Sequence, residues 1–106
     1  GDLHILNMAA VGSLELWAGA KIIGRECATL NKEFLLCKKF ESGPTACLGK
    51  GDLSTSCASE IVTSVKTRFP QQFESLVKCL DHNDYRHADC RQQEKTLHAC
   101  WNANTA

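Results

Sequence analysis

The sequence predicts an all-α protein: two antiparallel helical hairpins stapled by disulfides, preceded by an N-terminal helical segment. Three observations carry this prediction. Apolar residues recur at mixed spacings of three and four, and alternating β-branched runs bounded by turns are missing. Only Pro44 and Pro70 interrupt the chain. Cys27, Cys37, Cys47 and Cys57 stand at strict intervals of ten, and Cys79, Cys90 and Cys100 follow at intervals of eleven and ten.

At 106 residues the chain makes one small domain at most. Folding a chain of this size covers only ~60–65% of its unfolded surface, so its core is thin and needs reinforcement. Seven cysteines supply it if they are oxidised, and a bound metal is the other route. Twelve acids balance twelve bases, interspersed rather than in blocks, which excludes a phosphate backbone as partner and with it nucleic acid.

The longest apolar stretch near the start covers residues 8 to 14, about seven residues against the ~20 that span a bilayer, so no transmembrane helix is expected. The opening Gly1-Asp2-Leu3-His4 has neither the basic start and apolar core of a secretory signal nor the pattern of an Arg-rich presequence. Residues 13 to 39 read as helix through Leu14, Trp17, Ala18, Ile22, Phe34, Leu35 and Cys37. Gly19 and Gly24 weaken its middle, and Thr29 or Asn31 can cap a fresh start, so a break is expected near residues 24 to 30. "FESGPTA" then makes a turn, with Pro44 in the first turn of a helix running to about residue 65. Pro70 opens a third helix through residue 80, "DHNDYRHAD" supplies a polar turn at residues 82 to 84, and a fourth helix runs from about 84 to 103. The expected organisation is an N-terminal interaction segment (1–26), a first hairpin (27–66) and a second hairpin lacking its outer bridge (67–106).

The interval of ten has a geometric reason. Positions ten apart on a helix differ by 1000°, about 80° short of three turns, so both face one partner about 15 Å apart. Across an antiparallel seam, partners share a constant sum of residue numbers, and Cys27 with Cys57 and Cys37 with Cys47 both sum to 84. Two nested bridges fit that register, each worth ~3 kcal/mol in the chain-entropy model and less than additive. Four cysteines permit three connectivities, among which sequence alone does not choose. The equal spacing favours the nested one over zinc, whose structural ligands come as close pairs.

In the second half, Cys79-x2-His82-x4-His87-x2-Cys90 has the ligand types of a zinc knuckle, while Cys79 with Cys90 also makes the inner bridge of a copied hairpin. That inner pair sums to 169, so the outer partner of Cys100 falls at Phe69. Cys100 is then a free thiol, a slow nucleophile beside Phe69 and Trp101, or it bridges to another subunit.

"NKEFLLC", Cys47-Leu48, "KGDLSTSCA" and "CRQQEKTLHAC", from about residue 13 to 100, resemble the PGIV-type accessory subunits of mitochondrial respiratory complex I. These carry two coiled-coil-helix-coiled-coil-helix (CHCH) modules with twin C-x9-C motifs. Gly24, three residues before the first cysteine, belongs to the same resemblance. Phe69 departs from it, standing where the family has a cysteine, and the long C-terminal extension of animal members is missing, as in the short plant-like form. The resemblance implies a structural protein of the intermembrane space, on the membrane arm of complex I, with the other subunits and the oxidative import machinery as partners. Import by oxidative trapping needs a cysteine beside an apolar helical face, which Phe34, Leu35 and Leu36 next to Cys37 provide; the same residues also read as hairpin core.

Catalysis finds little support, since Glu33, Glu60 and Glu94 lack convergent partners and no Gly-rich phosphate loop occurs. No cofactor, metal or catalytic residue is expected. An assembly factor or metallochaperone of the same superfamily is the alternative, although the chain lacks the adjacent cysteines of copper carriers. A secreted disulfide-rich binding protein is a third class. The expected partner interface is Leu14, Leu16, Trp17, Ile22 and Ile23, because stapled hairpins have little concave surface to bury so many large apolar groups.

Overall fold

A computed structural model describes residues 12–41, 43 and 45–105. The described residues form six α-helices and one 3-10 turn, with no strand among them: α1 (Ser13–Ala18), α2 (Ala20–Glu26), α3 (Ala28–Phe40), α4 (Leu48–Arg68), α5 (Pro70–His82), the 3-10 turn (His87–Cys90) and α6 (Arg91–Thr105). The all-helical class predicted from the spacing is the one observed. The expected helix start at Pro44 lies outside the described residues.

The breaks fall where packing demands them. Gly24 stays inside α2, exposed, with open space where a Cβ would be. The expected break falls at Cys27, within residues 24 to 30, and the chain also bends at Gly19, where a Cβ would come within 3.4 Å of Val62 Cγ2, so the joint between α1 and α2 lies close against α4. The sulfur of Cys27 is committed to Cys57, and α3 starts directly after this residue rather than at a Thr29 or Asn31 cap. Phe69 alone joins α4 to α5 (φ −132°, ψ 58°), because the ring of Pro70 drives the preceding residue out of the helical region while suiting the first position of α5.

α5 runs to His82, two residues past the expected end, and α6 begins at Arg91 rather than near residue 84. The reason is a left-handed reversal at Asp84 (φ 53°) and Tyr85 (φ 65°). The Tyr85 N–H reaches back to the Leu80 carbonyl at 2.8 Å, the six-to-one bond of a Schellman ending, with Asp84 in the place glycine usually takes. A left-handed tyrosine is strained, and its carbonyl is held by the Trp17 indole N–H at 2.5 Å.

One core sits between α1, α2, the C-terminal half of α4, α5 and α6. It contains Ala18, Ile22, Val62, Val65, Phe73, Leu76, Leu80, Cys90, Leu97 and Trp101. Phe73, Leu76 and Leu80 make the inward stripe of α5, at the three-and-four spacing of an amphipathic helix. Glu15 on α1 pairs with Lys66 on α4 at 2.6 Å, which ties the N-terminal helices across this core. The first hairpin is built differently. Cys37 is the only buried residue of α3, and no residue of α4 before Ser59 is buried, so α3 and the N-terminal half of α4 project as an arm without an apolar interior. The molecule is accordingly elongated, 42 Å by 31 Å by 27 Å.

Candidate functional site

The arm is held by its bridges. Cys27 joins Cys57 with Cα atoms 6.0 Å apart, and Cys37 joins Cys47 at 5.9 Å, one pair at each end of the α3–α4 seam. Between them lie a Ser54 to Asn31 hydrogen bond and the Phe34 ring, which touches the open face of Gly51. Cys79 is bonded to Cys90 at the turn of the second hairpin, Cα atoms 5.9 Å apart, and Cys100 is a free, partly buried thiol on α6. The two sulfurs of the zinc-knuckle alternative are therefore bonded to each other, and its His87 is bonded to Glu94. Among the described residues no group of three or more His, Cys, Asp or Glu side chains is placed to hold a metal.

Exposed apolar side chains concentrate on the arm. Leu35 (66%), Leu36 (44%), Phe40 (73%), Leu48 (60%) and Leu53 (55%) are solvent-facing, so Leu35 and Leu36 are not hairpin core. The cystine register carries the signal that finds them. With Cys37 turned inward, Leu36 is rotated 100° from it and Phe40 lies one turn beyond Leu36 on the same outer stripe.

The five residues expected at a partner interface lie elsewhere and are treated unequally. Ile22 is wholly buried in the core, and Leu14, Leu16 and Ile23 pack against it half-buried. Trp17 is 42% exposed, with its ring 6.5 Å from Tyr85 and 4.9 Å from His87. Sequence reasoning missed that the second hairpin offers the N-terminal helices a groove of their own chain.

Charge is organised around one buried carboxylate. Glu94 on α6 accepts from Lys21 of α2 at 2.5 Å, and its other oxygen lies 2.6 Å from His87 Nδ1 in the 3-10 turn. Burial pushes its pKa up, but the hydrogen bonds and charges of Lys21 and His87 outweigh that and hold it below the usual 4.5. His98, one turn further along α6, has its imidazole pushed below 6.5 by burial, opposed by Glu94 and reinforced by Lys21, Arg25 and His87; its Nε2 is buried without a hydrogen-bond partner.

Both shifts have the same consequence for stability. Each group takes up a proton less readily when folded, so each contributes stability above its unfolded pKa that is lost as pH falls through the lower folded value. Erosion from His98 is expected below about pH 6.5 and from Glu94 below about 4.5. Thermal midpoints measured from about pH 3 to 8 should fall in these two stages, with His98→Gln flattening the upper stage and Glu94→Gln the lower. An unchanged acid profile in Glu94→Gln would show that the cluster does not contribute.

Cys100 gives a chemical check on the bridges. Alkylation of the unfolded, unreduced protein should label this cysteine alone among the seven. Labelling of any second cysteine, followed by peptide mapping, would identify a bridge that does not form.

No protein-family model matches the chain. It is 32% identical over 85 residues to the NADH dehydrogenase (ubiquinone) 1 alpha subcomplex subunit 8-A of Arabidopsis thaliana, covering 80% of this chain and 79% of that protein. The 8-B protein of the same plant is 30% identical over 85 residues, 80% of each chain. The NADH-ubiquinone oxidoreductase 20.8 kDa subunit of Neurospora crassa is 29% identical over 90 residues, 83% of this chain and 49% of that subunit.

Proposed function

The chain belongs to the family of subunit 8 of the NADH dehydrogenase (ubiquinone) 1 alpha subcomplex, and from that membership we infer that it is an accessory subunit of mitochondrial complex I. It is a non-catalytic structural subunit of the PGIV type, with a double CHCH fold, and it supports assembly and stability of the complex on the intermembrane-space side of the membrane arm. The observation that carries the reading is the 32% identity spread over four-fifths of both chains.

The disulfide framework supports the compartment, because six of seven cysteines are paired and such frameworks persist where thiols are not kept reduced. Paired cysteines also weigh against a metallochaperone, which needs thiols free for its metal. In this reading residues 27–66 and 67–106 are the two hairpin modules and residues 1–26 carry a partner contact, for which Trp17 offers the most exposed aromatic ring of the N-terminal helices. The oxidative import machinery of the intermembrane space is the second partner. Leu35 and Leu36, exposed on α3 beside Cys37, give it an apolar face next to a cysteine.

Native electrophoresis of mitochondria carrying a tagged copy tests the reading. The tagged chain should migrate with complex I, its depletion should lower assembled complex I, and protease should reach it once the outer membrane is opened. Migration only in a low-mass pool would remove the subunit assignment. Protection until the inner membrane is broken would remove the compartment.

A further inference from the structure

We propose that the free end of the first hairpin is a membrane-contact tip that seats in the boundary between headgroups and acyl chains of an anionic bilayer. The inference goes beyond membership of a complex and stands on the arm itself. Five large hydrophobic side chains, Leu35, Leu36, Phe40, Leu48 and Leu53, are exposed on α3 and the N-terminal half of α4. They do not share one face. A shallow depression beside the inner bridge is lined by Phe34, Lys38 and Leu48 with Glu41 and Asp52, and a second by Glu33, Leu36, Phe40, Glu41 and Lys50. Helical register puts these on opposite flanks, because Phe34 and Lys38 lie on one side of Cys37 and Leu36 and Phe40 on the other.

A protein groove would cover one flank of such an arm; a bilayer surrounds a protruding tip on every side. Charge points the same way. Residues 35–53, which carry all five side chains, hold Lys38, Lys39 and Lys50 against Glu41 and Asp52, an excess of one positive charge (three less two) in a chain whose net charge is zero. Lys38 and Lys39 place their ammonium groups 5.6 and 5.5 Å from the Phe34 and Phe40 ring centres, so long apolar stems run beside the aromatics while the charges stay at headgroup level. Among the described residues no helix is long and apolar enough to cross a membrane, which limits the contact to the interface.

The test uses the oxidised full-length protein, with vesicles of phosphatidylcholine alone or with about a third phosphatidylglycerol. Co-sedimentation should favour the anionic vesicles and weaken with salt. Phe40→Asp should lower the partition by about tenfold or more, and Lys38→Gln with Lys39→Gln by roughly fivefold per lysine. Phe40 is 73% exposed, and retained helicity with three disulfides would show that the variant still folds. In a second variant, Phe40→Trp, the new indole should be quenched by bromine-labelled acyl chains. Failure to bind either vesicle, binding that Phe40→Asp leaves unchanged, or an unquenched Phe40→Trp would each overturn the proposal. So would loss of Phe40→Asp from complex I by a protein whose wild type ignores vesicles, which would make the tip a protein contact. Complex I membership is read separately, by native migration, so either idea can fail alone.

Discussion

Opening the two bridges of the first hairpin is expected to release α3 while the core built by α1, α2, α4, α5 and α6 stays folded. α3 is 13 residues long and buries only Cys37, so it has neither the length to hold as an isolated helix nor an apolar face to dock with. The start of α4 has the same weakness: Gly49 and Gly51 each cost about 1 kcal/mol relative to alanine inside a helix. What replaces packing is the restriction of the unfolded chain. The Cys27–Cys57 bridge, 30 residues apart, contributes about 3–4 kcal/mol in the chain-entropy model, and the Cys37–Cys47 bridge about 3 kcal/mol, with part of the two shared because the loops are nested. In a Cys27→Ser, Cys57→Ser, Cys37→Ser, Cys47→Ser variant, amides of residues 28–40 should exchange at near-random-coil rates, and those of 62–65 and 73–80 should remain protected. Retained protection over residues 28–40 would mean that α3 is held by packing after all.

Trp101→Ala is expected to destabilise the second hairpin by about 3–5 kcal/mol, the range for truncating a buried tryptophan. This side chain closes the end of α5 and α6 that has no bridge. Its ring meets Phe69 edge-on at 6.4 Å and 77°, its indole N–H reaches Glu26 of α2 at 3.3 Å, and Arg68 lies over its face at 5.5 Å. By the register of Cys79 with Cys90, position 69 is where a covalent partner for Cys100 would stand. Two aromatic rings fill that seam instead, so packing does at this end what sulfur does in the first hairpin. Denaturant unfolding of the wild type and Trp101→Ala measures the cost. Trp101→Phe, which keeps a ring against Phe69 and loses the bond to Glu26, should recover most of it. A cost under about 1 kcal/mol for Trp101→Ala would show that the surroundings collapse into the gap and the contact is dispensable.

Much of the framework was legible because it is written in local or strictly periodic terms. Helix rise and rotation are constants of the backbone, so four cysteines ten apart favour an antiparallel seam and, of three possible connectivities, the nested pairing of Cys27 with Cys57 and of Cys37 with Cys47 that the structure has. The start of α5 at Pro70 was legible for the same reason, since a proline ring acts only on its immediate neighbours. The left-handed pair at Asp84 and Tyr85 was not, because a tyrosine carries no local preference for that conformation, and the indole that holds its carbonyl belongs to Trp17, 68 residues away in the chain.

The sequence by itself determined the helical class and the two hairpins and favoured the staples of the first, because each follows from backbone periodicity and from which residue types can form covalent bonds. Only the tertiary structure decided which apolar residues are spent inside the molecule. Ile22, expected at a partner surface, is buried between α4 and the second hairpin, while Leu35 and Leu36, read from sequence in part as hairpin core, face water. The physical reason is that hydrophobic burial is non-directional: a sequence states how much apolar surface must be covered, and only the relative placement of helices distant in the chain settles which of it is.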